Sequence, residues 1–206
     1  MAARTFNPRL GIEGGLSILG TTGIVRPYCN RALRDALKCS LDVASACGVA
    51  APVLAPGKIG AKAARQNFSL RDEQLIEVGN QWGFILNLLP SYPFRALLVV
   101  GHPGKLAKLA RQQWDTHSSR SDQAAQYVAG LGREVLGRSV PEDALTTEGV
   151  FAALDGPERK TLADVLAARV RSAVCGRTGN RLLVAVFLVD MAGQRLGTDG
   201  DLSPWQ

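Results

Sequence analysis

The run Arg95-Ala-Leu-Leu-Val-Val100 ends at Gly101-His102-Pro103-Gly104, and a helix through Arg111 follows. A short continuous apolar run closed by glycine and proline reads as a strand buried on both faces. Two similar units precede it. Pro52 to Ala55 forms a short strand, then Gly57 and a helix near Ile59–Gln66. Leu75 to Val78 forms another, ended by Gly79-Asn80 and followed by an apolar helix near Trp82–Leu89. Three strand–glycine–helix units in succession predict a mostly parallel sheet with helices packed on it and right-handed crossovers. Upstream, Asn30 can cap a helix in which Leu33, Leu37, Leu41 and Ala44 recur until Gly48. Downstream the chain is helix-rich. Ala124, Tyr127, Val128, Leu131 and Val135 make one apolar stripe, and Leu162, Val165, Leu166, Val170 and Val174 make another, opened by Pro157. Leu182 to Val189 reads as a further buried strand in the same sheet. Residues 193–206, rich in turn formers, read as a surface tail. The predicted fold is thus α/β: an open, mostly parallel sheet over residues 28–206. A glycine-rich segment, 1–27, leads into it and carries five glycines between Gly11 and Gly23, too many for a stable helix.

Composition narrows the function. Apolar residues are 46% and charged residues 20% of the 206, which excludes disorder, collagen-like repeats and coiled coil as the dominant state. A chain of this length buries about 70% of its unfolded surface, enough for a core without staples. The net charge of +6 is unevenly distributed. Residues 1–111 hold 14 basic against 6 acidic side chains, a net of +8, while residues 112–206 hold 10 against 12, a net of −2. A cationic first half suits an anionic partner: nucleic acid, a nucleotide or a small polycarboxylate. Aromatics, at 6%, do not alternate with the basic residues, so a stacking platform for single strands is not expected and nucleic acid is set aside. The longest strongly apolar run is eight residues against the ~20 of a membrane helix. The first ten residues lack the apolar core of a signal peptide. Cysteines 29, 39, 47 and 175 form no CxxC pair and lie away from both histidines. They are expected to be reduced thiols in a cytoplasmic protein, with no zinc or other protein-bound metal.

Ligands of open parallel sheets bind outside the carboxyl ends of the strands. Pro56-Gly57, Gly79-Asn80 and Gly101-His102-Pro103-Gly104 are the loops expected there, although glycine can also simply end a strand. The segment Gly11–Gly23 is neither a Walker loop nor a GxGxxG fingerprint. Its Thr21 and Thr22 hydroxyls suit a polar ligand; the alternative is a linker. Arg31, Arg34 and Lys38 share one helix face, as do Lys58, Lys62 and Arg65, either as solvated faces or as an anion-binding surface that Lys105 and Lys108 would extend. Thr116-His117-Ser118 with Asp122 can move a proton near neutral pH, or Ser118, Ser121 or Asp122 can cap the next helix. His102 poses the same choice. No Gly-x-Ser-x-Gly elbow accompanies them.

These blocks, in this order, resemble the cobalt-precorrin-5B (C1)-methyltransferase family (CbiD) of anaerobic cobalamin synthesis. The resemblance rests on Asn7-Pro-Arg-Leu-Gly-Ile12 and on Gly14-Gly-Leu-Ser-Ile-Leu-Gly-Thr-Thr-Gly-Ile-Val-Arg-Pro27. It continues through Gly79-Asn80 with Gly83, Gly101-His-Pro-Gly-Lys-Leu-Ala-Lys-Leu-Ala110, and Thr116-His-Ser118 with Asp122. It implies transfer of the methyl of S-adenosylmethionine to carbon 1 of a cobalt-bearing tetrapyrrole polycarboxylate, whose cobalt belongs to the substrate. Gly14, Gly15, Gly20, Thr21, Thr22, Gly23, Gly79 and Asn80 are then expected to hold the methyl donor. Gly101, His102, Gly104, Lys105, Thr116 and Asp122 would hold the macrocycle, with His117 as the catalytic proton-handling group. The resemblance also implies a further domain ahead of the Asn-Pro block, so a separate chain supplying it is an expected partner. Gly57-Lys58 stands where the family pattern leads one to expect Gly-Asn. The alternative is a non-catalytic tetrapyrrole-binding protein or partner subunit of the same descent.

Overall fold

The computed structural model describes residues 30–117, 124–138, 140 and 144–206. Strands β1 (Val53–Ala55), β2 (Leu75–Glu77), β3 (Ala96–Gly101) and β4 (Leu183–Val189) lie in one sheet, and every neighbouring pair among them is parallel. The spatial order is β2-β1-β3-β4, completed by a fifth strand, β5 (Arg195–Asp199), antiparallel to β4.

Burial on both faces explains why β1, β3 and β4 read as apolar throughout and β2 as apolar at Leu75 and Ile76. Leu54, Ile76, Leu97, Val99, Val184 and Val186 enter the core on one face. Val53, Ala55, Leu75, Leu98, Val100, Ala185 and Phe187 enter the core on the other. The first face is covered by α1 (Asn30–Ala46), α3 (Trp82–Leu88), α4 (Pro103–Ala110), α5 (Ala124–Leu136), α6 (Thr147–Ala152) and α7 (Gly156–Arg177). The second is covered by α2 (Lys58–Asn67) and Trp205. Both faces being covered is what a parallel sheet requires. In α7 the opening Pro157 lies within a capping box of Asp155 and Glu158, and Leu162, Leu166, Val170 and Val174 are fully buried.

The tail corrects the reading of 193–206 as a surface segment. β5 lacks apolar alternation, and its support comes from afar. The Thr198 N–H donates to Asp164 Oδ1 at 2.8 Å, the Thr198 hydroxyl donates to the Val186 carbonyl at 2.9 Å, and Arg171 pairs with Asp199. Trp205 is only 2% exposed and donates its indole N–H to the Ala51 carbonyl at 3.0 Å. The short helix α6 was not read from the sequence either; Thr146 caps it, its hydroxyl accepting from the Gly149 N–H at 3.1 Å.

β1 lies between β2 and β3, so the chain leaves it to one side and crosses back to the other. The carboxyl ends of β1 and β3 therefore border the crevice where ligands of such sheets sit. Their loops touch. A Cβ at Gly101 would lie 2.8 Å from the Pro56 ring, closer than real contacts allow, so this junction admits only glycine without a shift.

Candidate functional site

Beyond the strand ends, three segments meet on the side chain of Asn80. Gly79, with φ +62°, turns the chain out of β2, a conformation natural to glycine. Asn80 Oδ1 then accepts from Lys105 Nζ at 3.1 Å and from Thr116 Oγ1 at 3.1 Å. An ammonium can only donate, so the amide orientation is set by chemistry. The Asn80 amide N–H groups make no hydrogen bond among the described residues, and Lys105 is exposed. Both can donate to an anion at the rim. Thr116 is fully buried, and its carbonyl accepts from the buried Lys108 Nζ at 3.3 Å. Thr116 thus meets the cleft through Asn80.

The segment holding Thr116 is itself fastened to the start of α3. Asp115 forms an antiparallel bridge with Gln81, and the Gly83 N–H donates to the Trp114 carbonyl at 3.0 Å. Two arginines gather on the same unit. Arg34 Nε donates to Gln81 Oε1 at 3.0 Å with its Cζ 5.4 Å from the centre of the Phe84 ring. The Arg177 Cζ lies 5.4 Å from the centre of the Trp114 ring. Arg34 was one of a predicted basic trio. Arg177, Trp114 and Gln81 were missed, because their pairing joins distant parts of the chain and leaves no local pattern.

His102 turns out to be the N-cap of α4. Its Nδ1 accepts from the Gly104 N–H at 3.1 Å, and its Nε2 lies 2.9 Å from Glu148 Oε2. Because Nδ1 accepts, the proton of the neutral ring sits on Nε2 and is donated to Glu148. Both nitrogens are committed to holding α4 and α6 in place. His117 is exposed at the rim, its N–H donating to Asp115 Oδ1 at 3.2 Å.

Gly79, Asn80, Gly101, His102, Gly104, Lys105 and Thr116 are therefore linked at the carboxyl ends of β2 and β3. Gly14, Gly15, Gly20, Thr21, Thr22, Gly23 and Asp122 lie outside the described residues. Of the basic trios, Lys38 pairs with Asp42 at 2.8 Å and Arg65 with Asp72 at 2.7 Å, the solvated-face arrangement. The Lys38 ammonium and then the Tyr92 hydroxyl hold the Asp42 carboxyl below its usual range. Burial, followed by the hydrogen bond to Asp42, pushes the Tyr92 phenol up to about 12. Among the described residues no three metal-binding side chains gather, and no helix is long and apolar enough to cross a membrane.

Residues 1–27 match the CbiD family model. The whole chain is 51% identical over 206 residues to a cobalt-precorrin-5B C(1)-methyltransferase of Syntrophotalea carbinolica, covering 59% of that protein. Proteins of the same name from Methanocaldococcus jannaschii and Moorella thermoacetica are 37% and 36% identical, over 96% and 97% of this chain and 56% of their own length. No solved structure matches significantly. The chain spans a little over half the length of these curated relatives, and along that length it is similar to them from end to end.

Proposed function

We propose that this chain serves the methylation of carbon 1 of cobalt-precorrin-5B by S-adenosylmethionine, in anaerobic cobalamin (vitamin B12) synthesis within the cytoplasm. The observation that carries the proposal is the 51% identity to a protein of that name along all 206 residues. The chemistry of the cleft supports it. The substrate is a polycarboxylate, and the Asn80 amide together with the Lys105 N–H groups not given to Asn80 Oδ1 offers donors at the rim that no described residue accepts. The polar end of the methyl donor suits the exposed Gly79 backbone beside the Asn80 amide.

S-adenosylmethionine supplies a sulfonium methyl that a ring carbon displaces. Such a displacement depends on alignment and exclusion of water more than on a strong acid or base. The residues of this chain then have distinct parts. Lys105 and the Asn80 amide hold carboxylates, and buried Thr116 fixes the Asn80 rotamer from behind. The His102 cap and the Gly101–Pro56 contact hold the loop that carries Lys105. His117 takes up a proton at its imidazole where the reaction releases one.

The test incubates the full chain with methyl-labelled S-adenosylmethionine and cobalt-precorrin-5B, and titrates it with each ligand. Lys105→Ala is expected to weaken corrinoid binding by about 1–3 kcal/mol, the range for a charge-assisted hydrogen bond, with Tm unchanged because the side chain is exposed. Unchanged affinity refutes the anion-binding role. Binding of both ligands with no label transferred marks a tetrapyrrole-binding relative instead.

A further inference from the structure

We infer that Arg34 and Arg177 are carboxylate-binding residues which, together with Lys105, give the cleft three points of attachment for one polyanionic macrocycle. The inference rests on the tetrapyrrole reading above and names the groups that would select for it.

The three cations belong to helices far apart in the sequence, α1, α4 and α7. Each touches the same small unit formed by residues 80–84 and 114–116. Lys105 reaches Asn80, Arg34 reaches Gln81 and Phe84, and Arg177 lies over Trp114. The unit is a stitched support: the Gln81–Asp115 bridge and the Gly83–Trp114 hydrogen bond join its two halves. Gly83 matters to its shape. A Cβ there would come within 3.0 Å of the Trp114 Cβ and 3.8 Å of Arg177 Nη2, so the absent side chain lets ring and guanidinium approach the helix start.

None of the three cations makes an ion pair with a described carboxylate. Other arginines of the later half differ: Arg138 pairs with Glu158, Arg169 with Glu134 and Arg171 with Asp199. Asp115 is the acid of the unit, and its Oδ1 accepts from the His117 N–H. A guanidinium lying over an aromatic ring keeps its N–H fork for a carboxylate while the ring narrows its rotamers, so binding orders less. A ligand with several carboxylates at its rim gains from three such cations at once, where a monoanion uses one.

The experiment titrates the full chain with two probes: a cobalt corrin bearing free acetate and propionate groups, and the same corrin with every carboxylate esterified. Wild type is expected to bind the free acid and to bind the ester far more weakly. Arg34→Gln and Arg177→Gln are each expected to weaken binding of the acid about tenfold or more, leave binding of the ester unchanged and leave Tm unchanged. Arg34→Lys and Arg177→Lys keep the charge and lose the fork, so their affinities should fall between. Undiminished binding of the acid by both Gln variants overturns this inference while the tetrapyrrole reading stands. Equal binding of acid and ester by wild type, or binding of neither, overturns both.

Discussion

Asn80 offers the sharpest test, because one oxygen serves two donors of opposite character. In Asn80→Ala the exposed Lys105 ammonium turns to water at little cost. The Thr116 hydroxyl cannot, being fully buried with its hydrogen bond directed at Asn80 Oδ1. A buried polar group left without its partner costs about 1–3 kcal/mol. For a domain of this size each kcal/mol lowers Tm by about 2–4 °C, so the variant should melt several degrees early. Asn80→Asp keeps an acceptor for Thr116 and sets a carboxylate beside Lys105, so it should fold about as well as wild type. It also brings negative charge to the rim and removes the amide donors, so binding of a corrin polycarboxylate should fall. Thermal melts of Asn80→Ala, Thr116→Val and the double variant complete the cycle. Once Asn80 is gone, removing the Thr116 hydroxyl should cost nothing further and recover part of the loss. Strictly additive penalties would show that the two side chains are not coupled, and the account of Thr116 as the support of Asn80 would fall.

The junction at the switch point makes a second prediction. Gly101→Ala places a methyl 2.8 Å from the Pro56 ring, and overpacking of this kind costs about 1–3 kcal/mol in denaturant titrations; unaltered stability would mean the loops part freely. A third concerns α1. The Tyr92 phenol, raised to about 12, should ionise late in an ultraviolet pH titration, and that late component should vanish in Tyr92→Phe. Because its folded value lies above the ordinary one of 10, its contribution to stability is complete below pH 10 and lost as pH rises through 12. The sign is opposite for Asp42. Its carboxyl is lowered by Lys38, so its contribution is present above the ordinary carboxylate value of 3.8 and is lost as pH falls below it.

The four parallel strands are legible because each is an apolar run that ends in a turn signal, and burial on both faces demands that pattern. β5 is not legible because Arg-Leu-Gly-Thr-Asp carries no period of two; Asp164 and Arg171 of α7 hold it from outside. The same division runs through the site. Gly79-Asn80 and Gly101 to Lys105 stand out as strand ends opening helices, and the structure joins them through the Lys105–Asn80 hydrogen bond. Local spacing does not tell what each residue does there. His102 has the residue type of a catalyst and the geometry of a cap, and Thr116 lies beneath the surface it was expected to line. Contacts such as Arg177 on Trp114 are set by how α7 packs, so no local pattern could have announced them.

The charge asymmetry of the chain acquires a structural meaning from these pairings. In the later half several basic residues pair with neighbouring acids, as in Arg138–Glu158, Lys160–Asp164, Arg169–Glu134 and Arg171–Asp199, while Arg177 lies over Trp114 instead. In the earlier half only part of the excess is absorbed, by Asp42 and Asp72. Arg34, Lys58, Lys62 and Lys105 make no ion pair among the described residues. Lys58 opens α2 at the end of β1, Lys105 sits in the first turn of α4 at the end of β3, and Arg34 reaches the turn after β2. Cations without partners repel one another and lower stability when they share a rim. Helix starts are also where the macrodipole favours acids. A surface arranged against its own folding energy in this way is what an anionic ligand stabilises on binding. Raising ionic strength should therefore weaken corrin polycarboxylate binding steeply, while binding of the esterified form stays level, and a salt-independent affinity for the acid would refute the link between the excess charge and the cleft.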